Sequence, residues 1–462
     1  MDGEVRVNPY LSGNFAPVRS EDDYDLAVKG EIPKRLRGTL YRTGPNPQFE
    51  PRGEYHWFAG DGMIHAFHVE DGKVSYRNRY VRTPKWRLEN EAGRALFGSF
   101  GNPMATDPSA LGKDSGVGNT NIVHHAGRLL ALEEGHMPFE MQPRTLDSKG
   151  YVEAYRGRTT AHPKIDPKTG EMVWFGYGIG ETPFGTGISY GVTDAAGEVV
   201  RRDDFQAPYS SMIHDFLVTE NHALFPVLPL TGSLERAMGG LPAFAWEPDK
   251  GSHVAVMRRD ADVASIRWFN APPCYVFHPM NAWEEDGKIL ADVFRYDSAP
   301  LFPNADGSPG RKSAARMVRW TFDLAGNSDA IKEEAIDDLD GEFPRFDERY
   351  AGLAYRHGWY AADPTGAKTI KQNAIAHLDH ATGKRQVYAL SGGDMTSEPV
   401  FTPRSDTAEE GDGWLTAVVW RAAENRSDFL VFDALDVAKG PIGVAELPRR
   451  VPFGFHGNWV AD

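Results

Sequence analysis

One local device recurs along almost the whole chain: a short β-rich run, a turn of Asp/Asn/Gly type, then a second β-rich run. It is seen in Ala66-Phe67-His68-Val69-Glu70-Asp71-Gly72-Lys73-Val74, and again at 166–175, 193–200, 283–290 and 378–388. Asp-Gly and Thr-Gly tolerate the positive φ that tight hairpin turns demand. The runs beside them alternate or carry aromatic and β-branched residues, as half-buried strands do. Long helical periodicity is scarce. Hairpins in this number, with no helices between them, exceed what a sandwich needs. They suit a propeller, in which each blade is a small antiparallel sheet set around a central axis. The expected fold is all-β, one propeller domain over residues 1–462. The blades have diverged too far for self-similarity to give their number.

Several stretches interrupt the pattern. Residues 88–100 read as a short helix, 226–251 as a long excursion, and 299–311 as a Pro-, Asn- and Gly-rich loop. Insertions of this kind on one face would roof the axis and shape a pocket. The acidic run at 405–413 reads as a solvated turn.

Four of the 15 histidines share a setting of apolar or aromatic neighbours with Pro, Gly or Asp immediately after. They are His162 in Ala161-His162-Pro163-Lys164, His214 in Ile213-His214-Asp215-Phe216, His278 in Phe277-His278-Pro279-Met280, and His456 in Phe455-His456-Gly457-Asn458-Trp459. The gaps between them are 52, 64 and 178 residues. A blade takes roughly 40 to 50 residues, so the first two gaps fit one blade plus a loop and the last fits three to four. Inner strands of separate blades converge on the axis, so one histidine from each of four blades could meet there. Chain ends fray unless something ties them down, and His456, six residues from the end, is read as tied by a metal. His56, His65, His68, His124, His125, His136, His222, His253, His357, His377 and His380 lie near turns or polar runs, or in the N-terminal part of the chain, and are read as structural or surface residues. Neither HExxH nor CxxC is present, so the local signal alone leaves the metal and the packing readings both open.

Composition closes off other classes. A net charge of −15, without a basic cluster, argues against nucleic acid. The one cysteine, Cys274, cannot form an intrachain disulfide and reads as a quiet apolar thiol. No run approaches the roughly 20 apolar residues of a membrane span, and neither end shows a signal segment. The expectation is a cytoplasmic, soluble protein whose partners are a small molecule and, at most, a second copy in a homodimer.

Seven ordered motifs carry a resemblance. They are Gly38-Thr39-Leu40-Tyr41-Arg42-Thr43-Gly44-Pro45-Asn46-Pro47, Trp57-Phe58-Ala59-Gly60-Asp61-Gly62-Met63, the four histidine segments, and Ser397-Glu398-Pro399-Val400-Phe401-Thr402-Pro403-Arg404. Together they resemble the carotenoid cleavage oxygenase family over nearly the whole chain. The stretch 232–250 and the short overall length look most like its bacterial lignostilbene and phenylpropanoid-alkene branch. The resemblance implies a seven-bladed propeller, with a dome of loops and short helices, holding one non-haem Fe(II) by His162, His214, His278 and His456. It implies that Glu134, Glu342 and Glu398 orient those rings and offset the charge of the ion. Thr120 matches a threonine that crowds an open iron position in relatives. The implied reaction splits an electron-rich C=C with O2 into two carbonyl products, and needs no external reductant.

Substrate recognition is where the sequence departs. In stilbene-cleaving relatives a phenylalanine packs on the substrate ring, and here it is Phe58. A tyrosine–lysine pair that binds the substrate 4-hydroxyl is replaced by Phe100 and Glu133. A glutamate would repel a phenolate. Glu133 would therefore accept from a neutral phenol, or face solvent, or the substrate lacks that phenol. The expected function is Fe(II)-dependent cleavage of an aryl alkene, stilbene-like or shorter. The alternatives are apocarotenoid cleavage and, more remotely, a Ca2+ or Zn2+ propeller hydrolase or a ligand-binding propeller.

Overall fold

The computed structural model describes residues 8–99, 103–366 and 372–462. Seven antiparallel sheets ring an axis. Blade 1 runs from outside in through Asp23–Asp25, Lys73–Tyr80, Gly62–Glu70, Gly38–Pro45 and Gly457–Ala461. The next five blades each follow the chain outward from the axis. Their inner strands are Asn121–His125, Lys164–Ile165, Leu217–Val218, Tyr275–Glu285 and Gly341–Phe346. In blade 7 the inner strands Met395–Thr396 and Val400–Pro403 both pair with Gly413–Arg421, and Ala27–Gly30 is outermost.

The ring is therefore closed twice. The last strand pairs with Gly38–Pro45 in a register from Gly38 opposite Ala461 to Arg42 opposite Gly457. An early strand, Ala27–Gly30, pairs with Gly443–Leu447. The chain end that holds His456 is thus tied by strand pairing as well as by whatever the histidine binds.

Turn chemistry sets the hairpins as the sequence suggests. Asp71 and Gly72 take φ of 50° and 78°, and Asp286 and Gly287 take 48° and 72°. Positive φ at both central residues is the signature of a type I′ turn, and each pair joins its strands as a two-residue loop. Strand Lys73–Tyr80 buries every second residue, whereas Gly38–Pro45 nearer the axis is buried throughout. The core lies between neighbouring blades. Phe175, Tyr190, Phe216 and Phe225 fill the space between blades 3 and 4, and Phe67 stacks on Phe429 at 5.2 Å between blades 1 and 7.

The dome differs in detail from expectation. The helix spans Pro84–Ala92 rather than 88–100. Thr83 caps it by accepting from the Trp86 amide, Pro84 supplies a preset φ, and Gly93 ends it at φ 65°. Lys85 binds Asp61 at 2.6 Å and Glu89 at 2.9 Å, while Glu89 also accepts from the Leu96 and Phe97 amides. The excursion is a hairpin, Leu230–Gly232 with Phe244–Trp246, carrying the helix Leu234–Met238. The Trp246 amide bonds Pro303 O at 2.9 Å, which joins this hairpin to the third insertion. Among the described residues no helix is long and apolar enough to cross a membrane.

Candidate metal centre

Each blade contributes one residue to a cluster at the axis. His456 directly precedes the inner strand of blade 1, and His162 and His214 lie just ahead of those of blades 3 and 4. His278 and Glu342 lie within the inner strands of blades 5 and 6. Glu398 sits between the two inner segments of blade 7, and Glu134 follows Arg128–Leu132 in blade 2.

Local irregularity aims these side chains. Pro279 cannot give a ladder hydrogen bond, and the register slips between Val276 and Pro279 and again before Asn281. The ladder slips likewise from Glu342 to Arg345, with Phe343 held at φ 54°. A phenylalanine in the left-handed region costs about 1–3 kcal/mol. In that conformation Phe343 stacks over His278 at 5.3 Å and meets His456 edge-on at 5.2 Å. Bulges beside active sites commonly redirect a side chain in this way.

Three imidazoles are fixed through Nδ1. His214 bonds Glu134 Oε1 at 2.5 Å, His278 bonds Glu342 Oε2 at 2.5 Å, and His456 bonds Glu398 Oε1 at 3.0 Å. The carboxylates are themselves held. Glu134 accepts from Tyr177 OH, and Glu342 accepts from Tyr296 OH at 2.9 Å and from the Phe343 amide at 2.9 Å. Glu398 accepts from the Gly457 amide at 3.0 Å and faces Arg345 at 3.3 Å. Burial would raise the pKa of Glu398, but Arg345 and His456 overrule it and push it down to about 2. Burial likewise works against a charged His214, and Glu134 outweighs it, raising that ring. His162 is different. Its nearest carboxylate, Asp215, is 3.7 Å from Nδ1, and Asp215 is taken up by Lys164 Nζ at 2.8 Å and by the Phe216 amide at 2.6 Å. Burial, with the other three rings, holds His162 well below the ordinary histidine range.

These contacts test whether a metal fits. A ring that donates through Nδ1 to a carboxylate carries its lone pair on Nε2. The Nε2 atoms of His214 and His278 face each other at 3.0 Å, and those of His162 and His214 at 3.1 Å. For His214 and His278, both neutral and both donating through Nδ1, two lone pairs at that separation repel unless a cation lies between them. Two nitrogens each about 2.1 Å from one ion and at right angles are about 3.0 Å apart. One nitrogen from each of His162, His214, His278 and His456 lies within 4.8 Å of the other three. The donor set fits a divalent transition metal with imidazole ligands, and its charge is offset one bond further out.

The other expected residues are placed as follows. Thr120 heads the inner strand of blade 2, accepts from the His456 amide at 3.2 Å and donates through Oγ1 to Asn119 Oδ1 at 3.0 Å. Phe58 packs against Phe455 at 5.6 Å and Phe302 at 6.3 Å. Its carbonyl is held by Asn119 Nδ2 at 2.8 Å. Glu133 is not turned to solvent: its side chain is 15 % exposed, pairs with His136 Nδ1 at 2.7 Å and accepts from the Val117 amide at 2.9 Å. Phe100 lies outside the described residues. Tyr177, Tyr296, Arg345 and Asp215 carry roles that the sequence reading missed. The tyrosines sit on strands with no local mark, whereas Asp215 directly follows His214 in its motif and Arg345 lies three residues after Glu342.

The chain matches the retinal pigment epithelial membrane protein family over residues 15–461. It is 39 % identical to isoeugenol monooxygenase of Pseudomonas nitroreducens, covering 98 % of each chain. It is 40 % identical to lignostilbene-alpha,beta-dioxygenase isozyme III of Sphingomonas paucimobilis, over 97 % of this chain and 96 % of that one. The crystal structure of Pseudomonas brassicacearum lignostilbene dioxygenase superimposes with a TM-score of 0.94 at 36 % identity, covering 98 % of both chains. With its seven blades, its four converging imidazoles and these matches along its length, the chain belongs to the retinal pigment epithelial membrane protein family, that of the carotenoid cleavage oxygenases.

Proposed function

We propose that this protein is an Fe(II)-dependent oxygenase that cleaves the C=C bond of an aryl alkene, of isoeugenol or stilbene type, giving two carbonyl products. The observation that carries the reading is the convergence of four imidazole nitrogens, with three of the rings backed by carboxylates, in a chain alike from end to end to aryl-alkene oxygenases. His162, His214, His278 and His456 would hold the ion. When bound, iron supplies the one-electron chemistry that lets triplet O2 react with a closed-shell alkene. The balance is simple: one C=C and one O2 become two C=O groups, with no proton or electron left over.

The chain's own residues do the rest. Glu134, Glu342 and Glu398 keep the Nδ1 protons of three rings engaged, so that their Nε2 atoms stay available as donors. Thr120 stands beside His456 and narrows the approach to the ion. Phe58 offers a ring face to the aryl group, and Phe277 and Phe343 line the histidines with apolar surface that excludes water. Holding the alkene in place accounts for the protein's share of the rate.

The test is a side-by-side assay of iron-loaded protein with isoeugenol, hydroxystilbenes and apocarotenals, with products identified by mass spectrometry. Aryl aldehydes from the first two are expected. Aldehydes from the polyenes alone would move the assignment to apocarotenoid cleavage, and full occupancy by zinc or calcium with no gain on adding Fe(II) would move it to a hydrolase or binding protein.

A further inference from the structure

Residues 117–120 form a strap that joins the substrate side of the pocket to the metal side. The Gly62 amide donates to Val117 O at 2.9 Å. Asn119 Nδ2 donates to both Phe58 O and Gly60 O at 2.8 Å, fixing the segment that carries the Phe58 ring. Thr120 donates to Asn119, its amide bonds Leu132 O at 3.0 Å, and its carbonyl receives the His456 amide. The strap is packed without slack. A Cβ on Gly62 would lie 2.4 Å from Gly118 O and 2.5 Å from Val117 O, and Gly118 takes φ of 57°.

The head of this strap is held by Glu133. Its Oε1 accepts the Val117 amide at 2.9 Å. His136 Nδ1 stands 2.7 Å from the same oxygen, and His136 Nε2 is 3.8 Å from Asp114. Asp114 in turn accepts from Tyr151 OH and from the Gly116 amide, each at 3.0 Å. Gly116 passes so close that a Cβ there would lie 2.1 Å from Tyr151 OH and 3.1 Å from Glu133 Oε1. The carboxylate is thus engaged by the Val117 amide and by the His136 imidazole.

We propose that Glu133 is a positioning residue rather than a substrate contact. Paired with His136, it anchors the strap and through it sets both the Phe58 ring and Thr120. Two consequences follow for the aryl-alkene reading, on which this inference rests. The position at which relatives hold a phenolate has here been turned to framework, so the substrate's phenol is not read by Glu133. Phe58 and Thr120 are also coupled, because one short segment fixes both.

The test uses full-length, iron-loaded protein, with Glu133→Ala, Glu133→Gln and His136→Gln. Isoeugenol is the substrate, and the nitric oxide complex observed by electron paramagnetic resonance is the probe of the iron surroundings. Anchoring predicts that Glu133→Ala keeps its iron, lowers kcat by about 10- to 100-fold, moves KM less than threefold and broadens the nitrosyl signal. Glu133→Gln keeps an acceptor for the Val117 amide and is expected to recover most of the loss, whereas His136→Gln, which takes the imidazole away from the carboxylate, should lower kcat and broaden the nitrosyl signal in the direction of Glu133→Ala, to a smaller extent. A rise in KM of tenfold or more with kcat retained, an unchanged nitrosyl signal and no effect of His136→Gln would overturn the proposal in favour of direct contact. If the wild-type protein turned over no aryl alkene, the functional reading would fall, while the nitrosyl signal of the three variants would still decide whether the strap is anchored.

Discussion

An imidazole binds a metal only if its lone pair is aimed and its other nitrogen is satisfied, and the outer partners of the four rings differ enough to give separate expectations. Glu134→Gln and Glu342→Gln remove charge-assisted bonds of 2.5 Å to His214 and His278. Each is expected to weaken iron retention by about 10- to 100-fold, read as competition with a chelator. Asp215→Asn should cost less than tenfold, because Asp215 stands 3.7 Å from His162 and is already paired with Lys164. His278→Ala, by contrast, should leave the protein folded and without iron by elemental analysis; full occupancy in that variant would mean the ligands are wrongly assigned. At this scale the sequence was legible where a motif marked the residue. The four histidines were marked by their local settings, and Glu134, Glu342 and Glu398 by the family resemblance alone. Tyr177 and Tyr296 were not, because a tyrosine on a strand carries no sign of which carboxylate it will meet across the fold.

Hairpins were readable because their turns depend on chemistry within two residues. Asp71-Gly72 and Asp286-Gly287 adopt the positive φ that their composition favours. The dome helix was misplaced by four residues at its start. Thr83 and Pro84 mark that start, but the apolar pattern lies further on. Thr83→Ala should cost about 0.5–2 kcal/mol, visible as a lower urea midpoint or an earlier local transition in hydrogen exchange over residues 84–92. Between elements, Glu284 of blade 5 binds Thr219, Asn221 and His222 of blade 4. Burial would raise its pKa, but these donors hold it down at about 2. A depressed carboxylate stabilises the folded state above the ordinary carboxylate range, and that contribution fades as pH falls towards 2. Glu284→Gln should therefore lower the urea midpoint at pH 7, with the gap from wild type narrowing as the pH is taken below 4. A gap that stayed constant with pH would show that the carboxylate charge contributes nothing.

For the molecule as a whole, a closed ring was predictable from the number of hairpins, but the number of blades was not. Blade count depends on how divergent sheets pack edge to edge, and no local residue encodes it; here the family resemblance supplied seven. Closure was likewise hidden, since Gly38 and Ala461 meet across the full length of the chain. That pairing makes the metal centre a property of the complete ring, because His456 directly precedes the strand that closes it. Removing residues 457–462 should unfasten blade 1, lower the thermal midpoint and abolish iron binding together. The proposed function requires one iron among four imidazoles on the propeller axis. X-ray absorption at the iron edge, on protein loaded anaerobically and carrying one iron per chain, tests this most directly. A first shell dominated by four imidazole nitrogens at a single distance of about 2.1 Å is expected, with the outer-ring scattering of imidazole. A first shell of carboxylate oxygens or of sulfur, or one with no more than two imidazoles, would contradict it.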